Sequence, residues 1–329
     1  MSLDPELLRV LQPVPGHVQI PIDWKALREA GDAMLLTLAG PEGLAPVQAV
    51  EQYRVGVAGV PDVRVYRPHG AASMTIIHFH GGGWALGNLE TVDHTARKIC
   101  HQLGAIVISC TYRLAPEHRF PTAFNDALAA TRWALSQIEE LGGDPRRVAI
   151  AGDSAGGNLV AAVTIALRDE QRMARFGIAR RLPGLCAQLL LYPGVDVRDS
   201  ARTAPSYVAD RDPSTRTAMV DEFIAAYLQG GDRNDWRVSP LAAEDLSELP
   251  PAMIVVVAVD PVRDQGVDYA RRLQDAGVIC ELIEYQHLTH GFCHVGAIVP
   301  AAGAAFDEVL TRFEQFVNAG KGDNDDAVS

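Results

Sequence analysis

The stretch VAIAGDSAGGNLVAA, residues 148–162, runs from an apolar strand through a serine set among small residues into an apolar helix. A serine on so tight a turn needs small neighbours, because a side chain two positions away on either side would collide with strand or helix. Gly152 and Gly156 occupy those two positions. The turn then holds the Ser154 hydroxyl clear of the sheet, at the positive end of the following helix. The pattern G-x-S-x-G alone is common by chance, and its place between strand and helix gives it meaning. Ser154 is read as a nucleophile.

The same rhythm extends outward in both directions. EQYRVGV and VRVYRP read as two short strands joined by a turn, after a helix from Asp23 to about Thr37. MTIIHFH, AIVISCTY, RVAIAGD, LCAQLLLYP, AMIVVVAVD and CELIEYQ are further strands. Helical segments alternate with them: Thr91–Leu103, FPTAFNDALAATRWALSQI, AGGNLVAAVTIALRDE, QGVDYARRLQDAG and a last one from about Ala302 to Val317. Continuous apolar strands alternating with amphipathic helices predict an α/β fold, a mostly parallel sheet of about eight strands covered on both faces. One stretch breaks the pattern. Residues 196–249 turn polar, with Pro, Asp and Arg clusters and one helix near Thr217–Leu228, and an excursion of that length between core strands is expected to be a lid. The expected organisation is N-terminal helices contributing to a cap (1–45), core (46–195), cap insertion (196–249), core (250–319) and a disordered tail (320–329).

The bulk composition narrows the function. Of 329 residues 48% are hydrophobic, enough for a sizeable core. A formal net charge of −12 argues against nucleic acid and against anionic lipid surfaces, both of which call for clustered basic residues. MSLDPELLRV lacks the basic and long apolar regions of a secretory signal, and no apolar run approaches the roughly 18 residues of a membrane helix. The five cysteines, an odd number without paired spacing, read as reduced core or helix residues, Cys293 among them as a small buried hydrophobe. A cytoplasmic location, no stable membrane association and a monomer or homodimer are expected.

A serine hydroxyl is a poor nucleophile near neutral pH, so it needs a base, a group that orients the base, and donors for the oxyanion. IIHFHGGGWALG ends a strand with His80 and Gly81, Gly82 and Gly83, where backbone N–H groups can approach a ligand with no Cβ in the way. It lacks both phosphate-loop patterns, so its N–H groups, with that of Ala155, are read as the oxyanion hole. His80 is read as structural. Trp84 and Asp153, beside the turn and the nucleophile, are read as pocket wall. In AMIVVVAVDPVRDQG, Asp260 follows the strand at the sheet's carboxyl edge and is read as the acid, whereas Asp264 reads as a helix N-cap or surface group. The base should come last in the chain, where QHLTHGFCH offers His287, His290 and His294. These three fall at helical spacing, but Gly291 and the preceding strand argue against a helix, and no carboxylate or cysteine set completes a metal site. No metal and no cofactor are expected.

HGGGW, YRLAPEHRFPTAFND from Tyr112, GDSAGGN, LLLYP, SPLAAEDLSELPPA, DPVRDQG and HGF, colinear from about Val63 to Phe316, resemble the hormone-sensitive-lipase-like esterases, bacterial family IV of the α/β-hydrolase superfamily. The resemblance implies an α/β-hydrolase fold with a helical cap after the sixth strand. It implies Ser154 as nucleophile, Asp260 as acid and His290 as base, with Gly82, Gly83 and Ala155 as oxyanion donors and Gly81 in the same turn. His294 is then structural or part of a pocket wall. The chain departs from the family at Gln286-His287, where Pro-Gly is usual, and at Gln265, where glutamate is commoner. A histidine in place of glycine raises the question of the loop's backbone conformation.

The resulting expectation is a serine carboxylesterase that cleaves small-molecule esters of short to medium acyl chain through an acyl-enzyme. An amidase, carbamate hydrolase or lactonase would use the same triad on a different bond. A non-catalytic small-ligand receptor on the same fold would lack the triad histidine, and His290 is present.

Overall fold

The computed structural model describes residues 3–11, 22–38, 44–177 and 182–319. One sheet is built from β1 (Ala49–Tyr53), β2 (Val63–Arg67), β3 (Thr75–Phe79), β4 (Ile106–Cys110), β5 (Val148–Asp153), β6 (Ala187–Leu191), β7 (Ala252–Val257) and β8 (Cys280–Tyr285). Its order is β1-β2-β4-β3-β5-β6-β7-β8, antiparallel where β2 meets β1 and β4, and parallel elsewhere. Every residue of β3 to β7 is buried, as strands covered on both faces require.

Alternate strand residues feed two cores. On β3, Ile77 and Phe79 face the core shared with α4 (Thr122–Gln137), α5 (Ala155–Ala174) and α8 (Arg263–Asp275), whereas Ile76 faces that of α3 (Asp93–Leu103) and α9 (Pro300–Ala319). The expected sheet, helices and irregular 196–249 stretch are all present. That stretch holds α6 (Pro205–Ala209) and α7 (Thr217–Leu228), the latter at the expected bounds.

One element differs from the reading. A helix α1 (Pro5–Val10) precedes α2 (Trp24–Leu38), too short to show a hydrophobic period. It does not lie with the cap as expected. Leu7 is fully buried in the α3/α9 core, and the Asp4 N–H donates to the His287 carbonyl at 3.0 Å. By contrast, α2 is pinned over the glycine turn: Arg28 donates to the carbonyls of Ala85 and Ala115 and pairs with Glu117. The predicted disordered tail, 320–329, lies outside the described residues.

The tightest point of the fold is where α5 begins. A Cβ on Gly156 would overlap the carbonyl oxygen of Phe79, and one on Gly152 would stand 2.5 Å from the Gly156 backbone. Both obstacles are backbone, one at the end of β3 and one in the first turn of α5, so neither can swing aside. Gly156→Ala should therefore cost at least the ~3 kcal/mol at the upper end of overpacking effects, read as a lowered urea midpoint against wild type.

Candidate active site

The turn between β5 and α5 holds Ser154 at φ 53° and ψ −118°, a conformation an L-residue adopts only under constraint. The Ser154 N–H donates to the Leu191 carbonyl at 2.9 Å, and its carbonyl accepts from the Asn158 N–H at 3.0 Å. These bonds fix the serine at the carboxyl edge of the sheet. The loops after β7 and β8 bring the other two groups to it. His290 Nε2 lies 2.8 Å from Ser154 Oγ, and His290 Nδ1 lies 2.6 Å from Asp260 Oδ2. Asp260 is fully buried, and its Oδ1 accepts the Val262 N–H at 2.9 Å. With the carboxylate taking the Nδ1 proton, Nε2 is left as acceptor for the serine hydroxyl.

Burial works against a charged His290 ring, but the carboxylates of Asp260, Asp212 and Asp153 outweigh it and the imidazole is shifted upward. Tyr192 lies against this ring, centroids 4.7 Å apart.

The glycine turn sits opposite. Gly82, Gly83 and Trp84 have φ of 103°, 59° and 59°, so the chain curls in a left-handed sense that turns successive N–H groups to one side. Among the described residues the N–H groups of Gly82, Gly83 and Ala155 meet no acceptor. Gly81 differs. Its N–H donates to Asp153 Oδ1 at 3.0 Å, so it is already engaged within the protein and shapes the turn. The His80 ring is held between the Gly81 carbonyl at 2.7 Å and Thr111 Oγ1 at 3.0 Å, inside the loop where a structural role placed it.

The three histidines of QHLTHGFCH take separate positions. His287 is exposed and does not adopt a positive φ, so the chain needs no glycine there. Gly291, φ 76°, makes the turn instead. His294, on a short 3₁₀ turn Phe292–His294, bonds Asp153 Oδ2 through Nε2 at 3.0 Å. The fold also supplies what a metal site lacked on paper, since ligand atoms of Asp153, Cys293 and His294 lie within 4.8 Å of one another. They are already engaged, however: Asp153 by Gly81 and His294, Cys293 by the Tyr192 hydroxyl at 2.7 Å, and His294 Nδ1 by Thr95 at 3.3 Å.

Other residues fall where local reading could not put them. Asp264 is not an N-cap: it accepts the Ser206 N–H at 2.9 Å, tying α6 to α8. Gln265 accepts the Asp196 N–H at 3.0 Å, a bond glutamate would make equally well. Asp212, unnoticed in the sequence, comes from the insertion, is fully buried and accepts the His290 N–H at 2.7 Å. Ser214 adds bonds to both Asp212 and the His290 carbonyl. Nothing in RDPST marks this aspartate, because its partner lies 78 residues away.

A cavity of about 560 Å³ opens over the triad. Its walls are Leu27, Met34 and Leu35 of α2 and Met219, Val220 and Phe223 of α7, with Trp84 and Asp153 at its edge. Trp84 spends its ring on Tyr227 of α7, stacked at 4.7 Å, and the Phe223 ring fills the space a Gly83 side chain would need.

Fold and site define a serine hydrolase of the nucleophile-elbow type. A family model described as the alpha/beta hydrolase fold matches residues 76–294. Carboxylesterase NlhH of Mycobacterium tuberculosis is 38% identical over 305 residues, 88% of this chain and 90% of that protein. Ethyl acetate hydrolase of Pseudomonas putida is 32% identical, covering 96% and 99%. The solved esterase of Pyrobaculum calidifontis superposes with a TM-score of 0.83 at 33% identity, covering 96% of this chain and 99% of that one. The chain belongs to the α/β-hydrolase family, in its hormone-sensitive-lipase-like branch of carboxylic ester hydrolases.

The upward shift of His290 has a testable consequence. As the candidate base, His290 would have to be neutral to accept the serine proton, so kcat/KM should rise with pH through an apparent value above the ordinary 6.5 of histidine. Asp212→Asn keeps an acceptor for the His290 N–H but removes one of the carboxylates that raise the ring. Its acid limb should move down, measured across roughly pH 5–9. Asp212→Ala should also lower kcat by about tenfold or more, because a buried N–H left unpaired costs ~1–3 kcal/mol and the loop will shift to satisfy it.

Proposed function

We propose that Ser154, His290 and Asp260 hydrolyse uncharged esters of short to medium acyl chain through an acyl-enzyme. The hydrogen-bonded line from Ser154 Oγ through the imidazole to Asp260 carries this reading. His290 Nε2 accepts the serine proton as Oγ attacks the ester carbonyl, and Asp260 stabilises the imidazolium that forms. The N–H groups of Gly82, Gly83 and Ala155 receive the oxyanion. His290 then protonates the departing alcohol, a water takes its place, and the same steps release the acid.

The cavity supports the substrate class. At about 560 Å³ it falls within the ~300–1,000 Å³ typical of small-ligand sites, too small for a triglyceride with three long chains. Among the described residues its lining carries Asp32, Asp153 and Asp196 with no lysine or arginine, and the His294 imidazole there is already taken by Asp153, so a substrate carrying a carboxylate meets repulsion and no free cation. The insertion and α2 act as the cap, and the contact of Trp24 with Phe223, ring centroids 5.9 Å apart, joins the two parts. We place the protein in the cytoplasm, in keeping with its free cysteines and with the absence, among the described residues, of a helix able to cross a membrane.

A p-nitrophenyl ester series of rising acyl length tests the reading. Turnover should peak at short to medium chains and vanish in Ser154→Ala and His290→Ala, while His287→Ala stays close to wild type. Monoesters of dicarboxylic acids should be poorer substrates than neutral esters of equal length. A wild-type protein that binds these esters but cleaves none would refute the proposal.

A further inference from the structure

Asp153 is a buried carboxylate that the triad does not use. It is the last residue of β5, directly before the nucleophile, 2% exposed, with no lysine or arginine against it among the described residues. Such a group is costly unless its oxygens are occupied and its charge is met. Both conditions are fulfilled from two directions. Oδ1 accepts the N–H of Gly81, 72 residues away, and Oδ2 accepts from Nε2 of His294, 141 residues away.

The geometry points to Asp153 and His294 as a second carboxylate–imidazole pair that braces the oxyanion turn from behind and so sets the aim of its donors. This rests on the oxyanion role assigned to that turn. The Gly81 N–H is the only one of the three glycine amides with a protein acceptor, so it fixes the orientation of the turn while Gly82 and Gly83 stay unbonded. The approach is close enough that a Cβ on Gly81 would overlap Asp153 Oδ2. From the other side the Tyr112 hydroxyl donates to the His80 carbonyl at 2.9 Å. The turn is held at both ends, and only its middle is free to bind.

His294 completes the brace because it is itself anchored. Its Nδ1 meets Thr95 Oγ1 at 3.3 Å, and Thr95 Oγ1 meets His94 Nε2 at 3.1 Å. One proton arrangement satisfies all three: His294 donates from both nitrogens, and the threonine passes its own proton to a neutral His94. The titratable groups facing His294 agree. Burial opposes its charge, but Cys293 and Asp153 raise it well above the ordinary value. His78 and His94 are both lowered to about 4, chiefly by burial, and His80 is lowered too, so none of them competes for the proton. Tyr192, reached through Cys293, is raised by burial and stays neutral. Asp153, despite burial, falls to about 2 under the influence of His294. The pair is thus intact at neutral pH. It is lost at the acid end as pH falls towards 2, and at the alkaline end as pH rises through the raised value of His294.

The test is steady-state kinetics of His294→Ala and His294→Gln on a p-nitrophenyl butyrate substrate, with melting temperatures recorded. A misaimed donor acts on the transition state and spares ground-state binding, so His294→Ala should lose about tenfold or more in kcat with KM within about twofold. Binding of a trifluoromethyl ketone, which places an oxyanion in the hole, should weaken in proportion. His294→Gln keeps an N–H for Asp153, so it should recover most of the loss and lack the wild-type alkaline fall in kcat. A folded His294→Ala with kcat within twofold of wild type overturns the proposal. If that variant does not fold, a His294→Gln with the wild-type alkaline limb overturns it. Ser154→Ala is run alongside: residual turnover there would condemn the triad reading itself, whereas a dead Ser154→Ala beside a normal His294→Ala condemns only the brace.

Discussion

The site depends on how closely the first turn of α5 approaches the end of β3. Gly156 lies against the Phe79 and His80 carbonyls, and Gly152 against Gly156, so strand, turn and helix nest without side chains between them. That contact sets the start of α5 beside the glycine turn, although the two segments are far apart in sequence. It also holds Ser154 in its strained backbone state, worth on the order of 1–3 kcal/mol, which a looser junction would relax. The serine stands out from the sheet because the surrounding backbone leaves it no other place.

Around this junction the protein compensates three buried carboxylates without a permanent cation, whereas Asp196 is forked by Arg198 at 2.8 Å. Asp260 has His290 and the Val262 N–H, Asp153 has His294 and the Gly81 N–H, and Asp212 has the His290 N–H and Ser214. Elsewhere it does the ordinary thing: the fully buried Asp126 is forked by Arg113 at 2.7 and 2.9 Å. The difference is chemical. A guanidinium beside Asp260 would satisfy the carboxylate at rest and leave it less to offer the imidazolium as it forms. N–H donors fix the carboxylate in place while keeping its charge for the ring. Among the described residues no arginine lines the cavity.

Local patterns carried the fold and most of the machinery. β5, the turn and α5 are contiguous, so the serine could be read from fifteen residues, and Asp260 from its place after an apolar strand. The order of serine, aspartate and histidine narrowed the base to one short loop, and the HGF resemblance chose His290. What escaped reading shares one cause: it depends on pairs distant in the chain. Asp212 has only Ser214 as a local partner, an ordinary turn bond, so it reads like any surface aspartate of a polar stretch. Asp153 does line the cavity, but its bond to Gly81 could not be read, because the direction of that N–H follows from the left-handed run at Gly82, Gly83 and Trp84, which composition alone cannot orient. α1 was missed because six residues do not define a helical period.

The loop after β8 shows how little chain is needed once its turns are placed. Its family departure at His287 is harmless because that residue keeps a negative φ and points to solvent. The reversal falls at Gly291, directly after the base. A left-handed residue there lets Phe292 drop fully into the core of α3 and α9. With that ring as a pivot, the 3₁₀ turn carries Cys293 to Tyr192 and His294 back beneath the glycine turn. Base and brace thus stand four residues apart on opposite sides of one buried phenylalanine. A shift of the loop would move both together, so the spacing between the proposed base and the proposed oxyanion turn follows from one short segment.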